Sequence, residues 1–207
     1  MTRVTAAKAR VTRTGLLEAA KQVLHAQGYA GLTTRGVAGV AGVPMSQIQY
    51  HFGSKQGMVM ALFESLNAQL LERQTAMFSD ASLSLSEQWD LACDYLDDDL
   101  ATGYVRVLQE LSAAGWANPE IGRVVGDGMM GWINLLTGLA SRAEERFGSL
   151  GPFTPEDIAA LVGAAFFGME AYLLLGLEDR GMPLRRSLRR FGDVIRGLEE
   201  QANQGRE

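Results

Sequence analysis

Between Leu32 and Lys55 the chain reads LTTRGVAGVAGVPMSQIQYHFGSK, and this stretch restricts the fold more than any other. It spaces two very short helices around a tight turn, and a third helix begins at once after them. Helix nucleation is costly, so isolated helices this short are marginal in water. They persist when packed at an angle against each other and against a third helix. The stretch therefore demands a small cluster of crossing helices.

Each position has a physical role. Thr33 or Thr34 can cap the first short helix through its hydroxyl. Val37, Ala38 and Ala41 fall at helical spacing and form its inward face. Gly42 supplies the left-handed conformation that ends it, and Val43 fills the angle between the helices. Pro44 sits at or near the start of the second helix, where a missing N–H costs little. Ile48 and Phe52, one turn apart, anchor that helix, which leaves Ser46, Gln47, Gln49 and Tyr50 outward, all able to hydrogen-bond. Ser54 caps the following helix, with Lys55 at its start. This is the pattern of a helix-turn-helix, whose second helix enters the DNA major groove. Taken alone, the Gly-Val-Pro turn also fits an ordinary helical corner.

The longer segment GLLEAAKQVLHAQGYAGLTTRGVAGVAGVPMSQIQYHFGSKQGMVMALFE resembles the N-terminal domain of the TetR (tetracycline-repressor) family along its whole length. The resemblance is carried by Leu17, Ala19, Ala20, Gly28, Tyr29, Thr33, Thr34, Val37, Ala38, Ala41, Gly42, Val43, Ile48, Phe52, Ser54 and Lys55. It implies a DNA-binding head, a helical ligand-binding and dimerisation body, and control of transcription by a small molecule, usually as a repressor. The recognition helix departs from the common pattern: Pro44 stands where serine is usual, Gln49 where tyrosine is usual, and Tyr50 where histidine or another polar residue is frequent. The inward residues are kept, so the departures bear on which ring meets the DNA backbone and on operator choice.

Candidate DNA contacts are Thr33, Thr34, Arg35, Pro44, Ser46, Gln47, Gln49, Tyr50, His51 and Lys55. Arg35 is held by the first short helix and can meet a phosphate or a base edge. Gln47 and Gln49 can each pair bidentately with adenine, and the sequence does not choose between them. Tyr50, His51 and Lys55 suit phosphates, which position a protein rather than read the bases. Arg3, Lys8, Arg10 and Arg13 form either a phosphate-contacting arm or a basic tail.

The formal net charge of −5 conceals an asymmetry. Up to Lys55 there are seven basic residues against one acid, Glu18, and the rest is strongly acidic. A basic head on an acidic body attracts phosphate locally without general adhesion to nucleic acid.

We expect an all-α chain of about nine helices, divided into a helix-turn-helix domain at 1–55 and a ligand-binding and dimerisation domain at 56–207. The first helix runs from about Thr12 to Gln27 and ends at Gly28. A linking helix covers Lys55 to about Phe78, and Ser84 with Glu87 forms a capping box for the next. Gly103 divides that helix from one over Tyr104–Ala114. Asn118 and Pro119 start another, lasting to Phe147. Thr154, Pro155 and Asp157 open a helix to about Glu178, and a last helix ends near Gln204. No stretch resembles a signal peptide. No apolar run reads as long enough to span a membrane, since Gly168, Glu170 and Gly176 interrupt the strongest one. A cytoplasmic location follows as an expectation. The lone Cys93 reads as a small buried hydrophobe.

The body is rich in soft and aromatic residues. Trp89, Tyr95, Met129, Trp132, Phe166 and Glu170 are candidates to line a ligand pocket, although at helical spacing core packing is the first reading of each apolar one. The mid-helix glycines Gly128, Gly131, Gly138, Gly163 and Gly168 mark either close helix contact or a cavity, because glycine there costs about 1 kcal/mol against alanine. Glu170, in AAFFGMEAYLLLG, either meets a ligand, pairs with an arginine such as Arg106, Arg123 or Arg142, or lies at a dimer seam. Asp94, Asp97, Asp98 and Asp99 spread around a helix and read as a solvated face rather than a metal site. Neither a metal nor a cofactor is indicated, and no arrangement supports an enzyme.

Ala164, Gly168, Ala171 and Leu175 form a small-residue stripe, and Leu188, Phe191, Val194, Ile195 and Leu198 an apolar one. The resemblance implies that two copies of these helices make an intermolecular four-helix bundle, with Ala164, Gly168, Ala171, Leu175, Phe191 and Ile195 at the homodimer interface. Either stripe can instead be satisfied within the monomer. The sequence thus reads as a dimeric regulator binding a near-palindromic double-stranded operator and answering to a small apolar or aromatic effector. A DNA-binding regulator controlled by a protein partner, and a helical small-molecule binder or enzyme, are the alternatives.

Overall fold

The computed structural model describes residues 3–204, with the backbone alone for residues 3–12 and Ala30. Arg3, Lys8 and Arg10 of the basic N-terminal set therefore have side chains outside the described residues. The described residues form nine α-helices and no strand: α1 (Arg3–Gly31), α2 (Thr34–Ala41), α3 (Ser46–Phe52), α4 (Lys55–Phe78), α5 (Leu85–Thr102), α6 (Tyr104–Gly115), α7 (Pro119–Phe147), α8 (Pro155–Leu174) and α9 (Leu184–Gln204). The all-α reading holds. α1 begins earlier than expected, and Gly28 interrupts it at φ 67°, ψ −175°.

The helices sort into two compact units, each built from two chain segments. The first takes Met1–Ala68 with Asp99–Val125, so α6 joins α1 to α3 and the start of α4. Its core is Leu16, Ala20, Val23 and Leu24 of α1, Val37 of α2, Ile48 of α3, Met58, Leu62 and Phe63 of α4, and Val105, Val107 and Leu111 of α6. Phe63 stacks on Tyr104 with ring centroids 6.0 Å apart, and the buried Tyr104 hydroxyl donates to Asn67 Oδ1 at 2.9 Å. That bond satisfies the phenol's polar end, as a buried tyrosine requires.

The second unit takes Gln69–Asp98 with Gly126–Glu207. Its core gathers Met77, Phe78, Ala92, Leu136 and Ala159, flanked by Tyr95, Trp132, Ile133 and Val162 among others. Buried polar groups are used as caps. Gln88, 1% exposed, donates through Nε2 to the carbonyls of Met77 and Asp80 at the C-terminal end of α4, at 3.2 and 3.1 Å. Its Oε1 accepts from Arg142 at 3.0 Å. Glu199 of α9 accepts from the Leu85 N–H at 2.9 Å and from Ser86 Oγ at 2.6 Å, placing a buried carboxylate on the first turn of α5. Helix N-termini favour negative charge there. The Ser84–Glu87 capping box forms as expected. Cys93 is buried, and burial pushes its thiol up to about 11.

α8 requires a correction. Thr154 and Asp157 form its capping box as the sequence suggests, but it ends at Leu174, where Leu175 N–H returns to Ala171 O and Gly176 turns left-handed. By length and composition alone it is also long and apolar enough to cross a membrane, with mean hydropathy 1.5 over an 18-residue stretch of which 17% is buried. Gly176 falls beyond the end of the helix, and its start at Pro155 adds enough Ala, Leu, Ile and Val to offset Gly168 and Glu170.

Candidate functional site

The head is organised by its caps. Thr33, extended at φ −113°, ψ 151°, accepts from the Gly36 N–H through its hydroxyl at 3.0 Å and starts α2. Gly42, at φ 65°, ψ 30°, ends it, and Val43 N–H reaches back to Ala38 O at 3.1 Å. This is the six-to-one closure that a left-handed glycine permits. Pro44 precedes α3 rather than opening it. Met45 is already helical at φ −58°, ψ −25°, and its carbonyl accepts from Ile48 N–H at 3.1 Å. Gly53, left-handed at φ 71°, ends α3, and Ser54 Oγ accepts from Gly57 N–H at 2.9 Å to start α4.

These constraints fix which side of α3 faces out. Ile48 is 1% exposed, and Gln47, His51 and Phe52 are half-buried. Ser46, Gln49 and Tyr50 are exposed, as is Met45 one turn before Gln49. Of the two candidate amides, Gln49 is thus the more exposed. Thr33, Arg35, Pro44 and Lys55 are exposed and Thr34 half-buried. Lys55 Nζ lies over the Tyr29 ring, 5.6 Å from its centroid, and the Arg13 guanidinium over Phe52 at 5.4 Å. Both cations are thus held by aromatic faces. Burial, with the charge of Glu110 adding to it, raises the Tyr29 hydroxyl above its ordinary range, so the ring beneath Lys55 stays neutral. Sequence reasoning passed over Met45 and Gly57; the helical period that joins Met45 to Gln49 was the available signal.

In the second unit three of the six candidate pocket residues come together. Phe166 meets Trp89 and Trp132 edge to face, with centroids 5.6 and 5.4 Å apart, and Trp89 also meets Phe191 at 4.9 Å. Such pairs add about 0.5–1.5 kcal/mol beyond area burial. Trp89 Nε1–H donates to Leu188 O at 2.8 Å. Tyr95 lies beneath the Arg73 guanidinium, 4.1 Å from the ring centroid. Met129 and Glu170 are half-buried. The glycines divide as well: a Cβ at Gly163 would collide with Ile133 Cδ1, and one at Gly131 would stand 2.9 Å from Leu71 Cδ1, whereas Gly138 and Gly168 have open space.

The acidic run is exposed at Asp94, Asp97 and Asp98, as expected of a solvated face, while Asp99 is buried, and the exposed carboxylates are also paired. Arg185 pairs with Asp97 at 2.6 Å and with Glu178. Arg189 pairs with Asp94, Arg196 with Asp90 at 3.0 Å, and Arg73 with Asp98 at 3.9 Å. Positions rising along α5 meet positions falling along α9, so the two helices run antiparallel. The signal lay in the arginines of LRRSLRRF, one turn apart like the aspartates. The hydrogen bonds that Arg185 and Arg189 donate to Asp97 and Asp94 respectively hold both guanidinium groups above the ordinary arginine range. These side chains are a third to two-thirds exposed, so each pair is worth at most about 1 kcal/mol.

On the other side of α9 and along α8 an apolar face is left open. Leu161, Leu175, Phe191 and Val194 are 58, 67, 47 and 56% exposed. Of the expected seam, Ala164, Leu175 and Phe191 are exposed, and Gly168, Ala171 and Ile195 half-buried. Leu188 turns inward instead.

Two short helices crossed through a glycine-closed turn, with a polar outer face on the second, define a helix-turn-helix protein. Residues 16–62 match the model of the bacterial regulatory proteins, tetR family, and the head is a tetR-family head. Over 103 residues the chain is 34% identical to the HTH-type transcriptional regulator CymR of Pseudomonas putida, covering 48% of this chain and 51% of that protein. Over 67 residues it is 37% identical to the HTH-type transcriptional regulator TtgR, also of Pseudomonas putida, covering 32% of each. The chain thus spans about half or less of these relatives' lengths. The fold is shared more widely. FadR of Bacillus subtilis, solved with stearoyl-CoA, superposes with TM-score 0.68 at 15% identity, covering 88% of this chain and 96% of that one. A regulator from Saccharomonospora viridis, solved with choline, gives TM-score 0.70 at 19% identity, covering 88% and 94%.

Proposed function

We propose that this chain is a dimeric DNA-binding transcriptional regulator, not an enzyme, that acts in the cytoplasm as a repressor and is released from a near-palindromic operator by a small apolar or aromatic molecule. The observation that carries the reading is the outward face of α3, polar but for Met45 and held by the Thr33, Gly42 and Ser54 caps within the basic segment 1–55. Arg35, Tyr50, His51 and Lys55 hold phosphates, and Ser46 and Gln49 face the base edges. The head at 1–55 acts for the body at 56–207. Two heads address half-sites about 34–36 Å apart, which requires the homodimer made through the open faces of α8 and α9.

The effector binds within the second unit, beside Trp89, Tyr95, Met129, Trp132, Phe166 and Glu170. That FadR is solved with stearoyl-CoA and the Saccharomonospora viridis regulator with choline supports a body of this fold accepting an organic ligand. The ligand reaches the head through α4, whose residues belong to both units. Release follows only if the ligand binds the DNA-incompetent state better. Glu170→Gln keeps the shape and removes the charge: a carboxylate that meets a cationic ligand predicts weaker release with unchanged operator affinity.

Selection of bound duplexes from a random pool, followed by titration at rising salt and a screen of metabolites for release, tests the reading. We expect a near-palindromic site, affinity that falls with salt, and at least one releasing molecule. Absence of salt-dependent duplex binding rejects the regulator; operator binding that no small molecule alters favours control by a protein partner.

A further inference from the structure

Met45 is 56% exposed. Its backbone is already helical, so it lies one turn before Gln49, and both are exposed. Ser46 and Tyr50 form the adjacent row. The outward face is thus a thioether, a hydroxyl, an amide and a phenol. It carries no lysine or arginine, and the half-buried His51 is the only basic side chain of Ser46–Phe52.

This chemistry restricts what can be read. The commonest guanine reader is arginine or lysine, bidentate to O6 and N7, and α3 offers neither. Adenine presents N6 and N7 to an amide such as Gln49, and thymine presents a 5-methyl group that an apolar side chain can cover. A flexible, polarizable methionine adapts well to such a surface. We infer that the base pairs beneath α3 are A·T pairs, with Gln49 taking an adenine and Met45 packing on a thymine methyl close to it. The inference rests on the DNA-binding reading above and adds the sequence class that this helix prefers.

The test uses the full chain and duplexes selected from a random pool. Each thymine of the selected half-site is replaced in turn by deoxyuridine, which keeps the pairing and removes only the methyl. The expected result is A·T enrichment at adjacent positions, with deoxyuridine at one of them weakening wild-type binding about four-fold, the ratio for burying one methyl-sized group. Met45→Ala should then bind thymine and deoxyuridine duplexes equally, while Met45→Leu keeps the difference. Gln49→Ala should lose the adenine preference at the neighbouring position. Enrichment of G·C there, equal wild-type binding of both duplexes, or a thymine preference that survives Met45→Ala overturns the inference while salt-dependent binding still upholds the regulator. Loss of all salt-dependent binding in the wild type rejects both. Because Met45 is exposed, these variants leave the head's core intact.

Discussion

The carbonyl oxygen of Phe52 occupies the space that a Cβ on Gly57 would need. This contact sets how closely the end of α3 approaches the first turn of α4, and so fixes the recognition helix on its support. Gly57→Ala gains about 1 kcal/mol of helix propensity but must displace backbone, and overpacking of this kind costs about 1–3 kcal/mol. We expect lower thermal stability and weaker duplex binding, measured by calorimetry and by titration. An alanine variant as stable and tight as wild type would show the junction to be pliable.

Gln49→Ala should change preference at one base position by about 1–3 kcal/mol, whereas Gln47→Ala, on the half-buried side, should change it less. Lys55→Ala should weaken all sequences alike and reduce the salt slope by about one. Titration across operator variants separates reading from positioning. Unchanged binding for all three would remove this face from the interface.

Gly192 lies against the Trp89 indole, where a Cβ would stand 2.9 Å from Cδ1 and 3.1 Å from Asp90 Oδ1. Gly192→Val should loosen α9 from α5 and cost about 1–3 kcal/mol. Trp89→Phe should lose the bond to Leu188 O, a net of about 1 kcal/mol. Chemical denaturation reads both, and equal midpoints for variant and wild type would contradict the packing.

The Glu178 carboxyl is held below the ordinary glutamate range, first by the Arg185 backbone N–H and then by its guanidinium. A depressed carboxylate contributes stability above its unfolded value and loses it as pH falls through the folded one. The melting temperature should therefore fall on acidification, and Glu178→Gln should flatten part of that fall. With solvent screening the share is at most about 1 kcal/mol, or about 2–4 °C in Tm. Identical acid profiles would remove Glu178 from the account.

Charge on the open face of α8 and α9 should prevent assembly. Leu175→Glu and Phe191→Glu place carboxylates at positions 67 and 47% exposed in the single chain, so the monomer should still fold. Sedimentation at micromolar concentration should show monomers with poor operator affinity, since two heads no longer share one binding event. A dimer that survives both changes lies on another surface.

Local chemistry determined most of the helix plan. Thr33, Gly42, Ser54, Thr154 and the Ser84–Glu87 box act through bonds to residues a few positions away, so their effect is written in short stretches of sequence. The inward set Val37, Ile48 and Leu62 follows from helical period for the same reason. Tertiary structure alone decided what depends on distant partners. It turned the aspartates of α5 into an antiparallel ladder with α9, and set Glu199 on the first turn of α5. It used Gly163 for contact with Ile133 but left Gly168 open. It also buried one side of α3, leaving Gln49 and Met45 outward. Sequence spacing supplies a helix face; which neighbour covers that face is set by long-range packing, which no local pattern encodes.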